Sequence, residues 1–188
     1  MNKEKLILWT IAAINFTHIV DFMILMPLGP QLMRIFEITP REFGLLVSSY
    51  TFSAGISSFL GAFVLDKYDR RTILLWVFTG FLLGTIACAL SPNYSVLLIS
   101  RIVSGVFGGL TSALIMAIIG DVIPDARRGK AMGLVMAAFS VASVVGVPFG
   151  LFIASISNWH APFIFLASLS LGILFLIFKY AKKCHQVN

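Results

Sequence analysis

The chain has 188 residues, of which 59% are apolar and only 12% charged, with a formal net charge of +6. Soluble domains carry about a quarter charged residues, so the composition excludes an ordinary water-soluble enzyme and points to an integral membrane protein. The basic excess needs no nucleic acid to explain it, because the Lys and Arg residues border apolar runs, where they face anionic lipid.

Cutting the chain at its charged and Pro/Asn clusters leaves six apolar stretches, 6–28, 43–65, 72–90, 96–119, 131–155 and 161–178. Each approaches the roughly 17 to 25 residues that a membrane-crossing helix requires. The runs are continuously apolar rather than alternating, which predicts helices and not a barrel. The fold class is therefore all-α, one bundle of six transmembrane helices over residues 1–188. With the N-terminus cytoplasmic, the inner segments carry Lys3, Lys5, Lys67, Arg70, Arg71, Arg127, Arg128, Lys130, Lys179, Lys182 and Lys183, and the outer loops carry only Arg34 and Arg41. That asymmetry predicts both termini inside. The first stretch is too long for a signal-peptide core and is expected to be retained. Cys88 falls in the third stretch and Cys184 in the tail, so no disulfide joins them, and no metal-ligand spacing occurs.

The first stretch carries Asn15, His18 and Asp21 at steps of three, on one helix face. An acid near the middle of a span costs about 2.5 to 3.5 kcal/mol on insertion scales, so Asp21 must face the bundle interior and have a partner or a proton. A structural ion pair would satisfy it equally, and His18 fits a hydrogen-bonded structural role as well as a proton relay. Pro27-Leu28-Gly29-Pro30 cannot continue a regular helix. The loop that follows, with Arg34, Glu37, Arg41 and Glu42, reads as solvated and receives no function.

Between the second and third stretches, Asp66, Lys67, Asp69, Arg70 and Arg71 form a charged hinge that must lie in water. The hinge resembles the signature loop of the major facilitator superfamily of secondary transporters, G-x-L-A-D-R-x-G-R-K-x-x-L. Asp66, Lys67, Arg70, Arg71 and Leu74 fall on its acidic, basic and leucine positions. Ala62 stands where the first glycine is expected, with Gly61 one position early, and Asp69 replaces the second glycine, so the turn is expected to be built differently.

In the fourth stretch, Arg101, Gly105 and Gly109 form R-x-x-x-G-x-x-x-G, similar to the motif of proton-coupled members of that superfamily. Glycines four apart also serve simply for close helix packing. At about 1.5 Å rise per residue, Asp21 and Arg101 both lie roughly 9 to 11 Å below the outer boundary. In the superfamily, helices one and four line the central cavity, and the resemblance thus implies an Asp21–Arg101 pair; Arg101 snorkelling to the outer interface is the alternative. The segment Gly120 to Gly133 resembles the superfamily's loop after helix four. By that resemblance Asp121 would pair with Arg70 or Arg71, and Asp66 would belong to the same cytoplasmic latch. Hydrated, unpaired charges are the other reading.

The fifth stretch has Ala138, Ala142, Gly146 and Gly150 at steps of four, a small-residue ridge, and Pro148, which removes the donor for the Val144 carbonyl and predicts a bend. Gly146 to Gly150 is similar to a reduced form of the glycine-proline motif of drug and sugar efflux members. Gly44-Leu45 with Gly61 echoes Gly133-Leu134 with Gly150 at equal separation, as two three-helix repeats would. Trp159 suits the membrane interface.

The resemblance implies half of a two-lobed carrier, needing a second six-helix half: another copy or a separate chain. The polar stripe would otherwise face lipid or a one-sided groove. In a homodimer, Asp66 would face the N-terminus of the partner copy's fifth span. The implied function is proton-coupled efflux of a small amphipathic solute by alternating access, with Asp21 as proton carrier; a non-transporting subunit or orphan half is the alternative. Its partners would be membrane lipid, the solute and protons. No cofactor is implied, and no H-E-x-x-H, G-x-S-x-G or phosphate-binding loop points to an enzyme.

Overall fold

The computed structural model describes residues 3–64 and 69–184. Among them are α1 (Lys3–Ile24), α2 (Gly29–Ile35), α3 (Pro40–Val64), α4 (Arg70–Ala89), α5 (Tyr94–Val122), α6 (Asp125–Val141), a π-helical turn (Ala142–Gly146), α7 (Val147–Ile156) and α8 (Ala161–Cys184). Six units are long and apolar enough to cross a membrane, the fifth being α6, the π turn and α7 together. The sequence boundaries agree to within six residues, except that α2, a short helix beginning within the Pro27 to Pro30 break, falls where the sequence predicts a loop.

Local chemistry sets the ends. Thr39 and Glu42 form a reciprocal capping box before α3: Thr39 N–H donates to Glu42 Oε2 at 2.7 Å and Glu42 N–H to Thr39 Oγ1 at 3.3 Å. Asn93 caps α5 through Val96 N–H at 3.0 Å. Asp69, which stands where the signature loop would have glycine, caps α4 by accepting from the backbone N–H and hydroxyl of Thr72, each at 3.0 Å. The departure from the motif is thus a helix start in place of a glycine turn. In the fifth span the π turn lies directly before Pro148, so the helix widens where the proline withholds its donor.

Lipid gives apolar side chains no reason to leave it, so helices associate through close packing at small residues. A Cβ on Gly105 would meet the Tyr50 carbonyl oxygen at 2.5 Å, and one on Gly109 would collide with the Ala54 carbonyl and the Ser57 hydroxyl. Both glycines therefore seat α5 on α3. Gly146 and Gly150 do the same for α1, a Cβ at Gly146 meeting Val20 Cγ2 at 2.5 Å and one at Gly150 striking Ile24. The helices exchange partners as two three-helix repeats would: α1 packs on the fifth span and on α8, while α5 packs on α3 and on α4. Gly44 and Gly133, taken from the sequence as part of an echo of that repeat, have nothing within 4 Å of a Cβ, so these two make no close contact within the bundle, whereas Gly150 does.

Two apolar clusters fill the bundle. One holds Ile14, Phe78, Phe81, Leu114, Ile118 and Val135; the other holds Ile24, Leu28, Leu46, Leu97, Trp159 and Phe163. Trp159, just before α8, is only 4% exposed and meets Phe36 edge-on at 5.3 Å, so at the end of its span it packs against the end of α2.

Gly109→Val should lower stability by about 1 to 3 kcal/mol, because the neighbour is backbone and cannot yield. Gly44→Ala and Gly133→Ala, each in open space within a helix, should gain about 0.5 to 1 kcal/mol. Unfolding of the detergent-solubilised chain measures all three.

Candidate functional site

Most polar side chains in the spans are satisfied by their own helix. Thr17, Ser53, Ser100 and Thr111 each donate to a backbone carbonyl three or four residues earlier, as apolar surroundings demand. Those that reach another helix therefore stand out, and the two charged ones, Asp21 and Arg101, meet each other in the interior.

Arg101 Nη1 donates to Asp21 Oδ2 at 2.9 Å and to the Asp21 backbone oxygen at 3.1 Å. The two side chains are 1% and 0% exposed. Thr85 of α4 donates from Oγ1 to the other Asp21 oxygen at 3.3 Å. Both carboxylate oxygens are thereby held by different helices. The Tyr50 ring of α3 lies beneath the guanidinium, 4.2 Å from its carbon to the ring centroid, a cation–π arrangement. Cys88 Sγ and Ser104 Oγ approach to 3.8 Å at the edge of this layer.

The other members of the sequence-predicted stripe go elsewhere. Asn15 donates to the Val135 carbonyl of α6 at 3.0 Å and so ties α1 to the fifth span. His18 packs its ring 5.9 Å from Phe81 and 6.2 Å from Tyr50, and neither ring nitrogen has a hydrogen-bond partner among the described residues. The stripe is not left facing lipid or an open groove, as the sequence suggested; Asp21 and Arg101 are enclosed by this bundle alone, and Arg101 does not snorkel. An apolar cavity of about 280 Å³, lined by Phe16, Val20, Ile24, Gly146, Phe149 and Phe165 among others, does not reach either residue.

At the basic end, Arg70 Nε donates to Asp121 Oδ2 at 2.8 Å, with the side chains 28% and 54% exposed. Such a pair stabilises by about 1 kcal/mol at most. Arg128 donates to the carbonyls of Gly120 and Ile123, closing the C-terminus of α5, and pairs with Asp125. Asp66, expected in the same latch, lies outside the described residues.

Tyr50, Thr85, Gly108 and the α4 glycines Gly80 and Gly84 were not singled out from the sequence. Gly80 and Gly84 receive Phe107 and Ser104 of α5, and their spacing of four was the available signal. Tyr50 lies on the buried stripe Leu46, Tyr50, Ser53 and Ser57 of α3, a spacing of three and four that was equally readable.

A six-span bundle with an acid–base pair sealed in its interior is the build of a polytopic membrane transporter lobe. The model of the Major Facilitator Superfamily matches residues 11–184, and the chain belongs to that family. Among curated relatives, the uncharacterized MFS-type transporter YceJ of Bacillus subtilis (strain 168) is 28% identical over 170 residues, covering 90% of this chain and 43% of the relative. YwfA of the same organism, also an uncharacterized MFS-type transporter, is 34% identical over 145 residues, covering 75% of this chain and 34% of its own. A probable sugar efflux transporter of Helicobacter pylori (strain P12) is 28% identical over 153 residues, covering 79% and 38%. The chain thus spans about two-fifths or less of these relatives. Among solved structures, a bacterial homolog to the human lysosomal transporter Spinster, inward-facing and occupied, superposes with a TM-score of 0.80 at 16% identity, covering 95% of this chain and 44% of that one; it shows the fold alone. The protein is an integral, multi-pass membrane protein.

Removing one member of a buried pair leaves a charge with no counter-ion, a cost of about 3 to 5 kcal/mol. Asp21→Asn and Arg101→Leu should each destabilise by that order, and the double variant should recover a large part of the sum. A double-mutant cycle of unfolding in detergent measures the coupling. At the charged hinge, the two Thr72 donors hold the Asp69 carboxyl below the usual carboxylate range. The cap's contribution is therefore complete above the unfolded value and disappears as pH falls through the lower native one. Asp69→Ala should cost about 1 kcal/mol at neutral pH and nothing below the native value, as unfolding at both pH values would reveal.

Proposed function

We propose that the chain is one lobe of a secondary carrier that exchanges protons for a small solute by alternating access. The observation that carries this reading is the enclosed Asp21–Arg101 pair. An ionisable pair inside a membrane bundle is expensive to maintain, and a proton is the one ligand that cancels it. In this reading, protonation of Asp21 Oδ2 converts the charge-assisted bond from Arg101 into a weak contact. Thr85 keeps the carboxyl oriented through its other oxygen. The helices that the pair had joined, α1 and α5, are then free to shift relative to each other, and release of the proton draws them back.

Efflux and a sugar-like solute are supported by the sugar efflux relative and by the reduced glycine-proline motif at Gly146 to Gly150. Members of the family are transporters, which argues against an enzyme. The second lobe would come from a further segment, a separate chain or a second copy. The Arg70–Asp121 contact would act as a weak latch at the cytoplasmic face, to which the resemblance assigns Asp66 and Arg71 as well, and the Lys and Arg distribution supports both termini facing the cytoplasm of a bacterial inner membrane. A second reading, a non-transporting subunit, is favoured by one observation: this bundle closes over its own charges without help.

Proteoliposomes containing the purified protein with whatever second lobe accompanies it, loaded with a pH-sensitive dye and offered a panel of pentoses and hexoses, distinguish the two. The carrier reading expects sugar-dependent proton movement that Asp21→Asn reduces at least about a hundredfold, the loss of a positioned proton acceptor. Full proton-linked flux in Asp21→Asn would falsify the role of Asp21. Absence of flux in the wild type together with a stable complex by detergent mass measurement would favour the subunit.

A further inference from the structure

Arg101 rests on two different surfaces, and only one is the carboxylate. Its Nη1 edge is spent on Asp21, while the face of the guanidinium lies over the Tyr50 ring. Tyr50 is 2% exposed. Phe22 packs against its ring at 5.4 Å, and two glycines of α5 let it in: a Cβ on Gly105 would meet the Tyr50 carbonyl oxygen at 2.5 Å, and one on Gly108 the Tyr50 hydroxyl at 2.5 Å. The hydroxyl has no hydrogen-bond partner among the described residues. The part of Tyr50 that the site engages is therefore its π face.

We propose that the Tyr50 ring is the second seat of the Arg101 guanidinium, the surface that keeps the cation inside the bundle while a proton occupies Asp21. The inference rests on the reading of Asp21 as proton carrier. When the proton arrives, an O–H bond forms on the Asp21 carboxylate and the anion is lost, whereas the guanidinium does not deprotonate and keeps its charge. Without a counter-ion in apolar surroundings it would either leave or reject the proton. The other titratable groups facing it are the His18 imidazole from α1, the Tyr50 phenol from α3 and the Cys88 thiol from α4, with the Ser104 hydroxyl on α5 itself. None is a carboxylate. The fifth span's acid, Asp125, is engaged with Arg128 at the basic end, and α7 and α8 contain no Asp or Glu. The Asp21 backbone carbonyl still accepts from Nη1 at 3.1 Å, but as a neutral dipole; the aromatic face is the other attraction left to the cation, and it is strongest when desolvated and uncontested by an anion. Tyr50 is thus a positioning residue, acting on Asp21 through Arg101.

The test follows the Asp21 carboxyl by infrared difference titration of the full chain in lipid, the signal being assigned by its loss in Asp21→Asn. Tyr50→Phe keeps the π face and should take up the proton at the wild-type pH. Tyr50→Leu removes it and should require a pH lower by about one unit, a tenfold weaker hold on the proton; Tyr50→Met is read the same way where the leucine variant does not extract as a monodisperse species. Equal midpoints in wild type, Phe and Leu variants overturn the role of Tyr50 and leave Asp21 as carrier intact. A Phe variant displaced as far as the Leu variant also overturns it, since the hydroxyl would then be the operative group. A wild-type Asp21 that takes up no proton overturns both readings.

Discussion

A full positive and a full negative charge, both sealed in the middle of an apolar bundle, are the constraint around which this structure is arranged. Their attraction alone does not justify the burial, because desolvating two ions costs as much as their pairing returns unless the remaining donors and acceptors are also used. Here they are. Asp21 receives Arg101 on one oxygen and Thr85 on the other, and its backbone carbonyl takes a second contact from the same Nη1. Arginine suits the position where lysine would not, since a planar guanidinium can give an edge to a carboxylate and a face to an aromatic ring simultaneously.

That geometry needs four helices within side-chain reach of one point, and the glycines provide it. Gly105, Gly108 and Gly109 line the face of α5 turned toward α3 and His18, while Gly84 admits Ser104 between α4 and α5. Gly146 and Gly150 bring the fifth span onto α1 just above and below Asp21's own turn, through Val20 and Ile24. The same small residues that substitute for hydrophobic association in lipid therefore also fix the distance between the ions. The two contact sets are counterparts under the internal repeat: the first helix of each three-helix unit seats on the second helix of the other.

The spans were legible because hydropathy in a bilayer is a strong, one-dimensional signal. The relative depth of Asp21 and Arg101 was legible for a related reason: a constant helical rise turns residue counts into height. What composition and rise do not encode is rotation about the helix axis. Tyr50 and Thr85 escaped notice because a hydroxyl within an apolar run can be satisfied by its own helix's backbone, so its presence does not announce a partner on another helix as a charge does. Trp159 shows the complementary limit: an aromatic at a span's end satisfies the interface rule whether it meets lipid or, as here, Phe36 at the end of α2. Asp69 was expected to change how the glycine turn is built, but its use as a cap depended on Thr72 three residues on, a local pairing that a family pattern does not represent.

The placement of the ions also bears on what a second lobe would be for. Bulky apolar side chains cover the outward face of α3, where Phe52, Phe59 and Phe63 are 73%, 67% and 66% exposed, and the outward face of the fifth span, where Val144 and Phe152 are 73% and 58% exposed. The charges lie on the opposite side of those helices, already neutralised. A partner lobe is accordingly not needed to shield Asp21 or Arg101 from lipid. In the proposed carrier its contribution would be the other wall of a passage, with this lobe supplying the element that senses the proton. Such a division places the energetic coupling inside one bundle, where a single proton changes the attraction between α1 and α5, and leaves solute recognition to surfaces that this chain presents as apolar helix faces. It follows that changes on the exposed face of α3 should alter which solute is moved more readily than the proton's effect on the pair, because the two are separated by the thickness of a helix and joined only through the seat that Tyr50 provides.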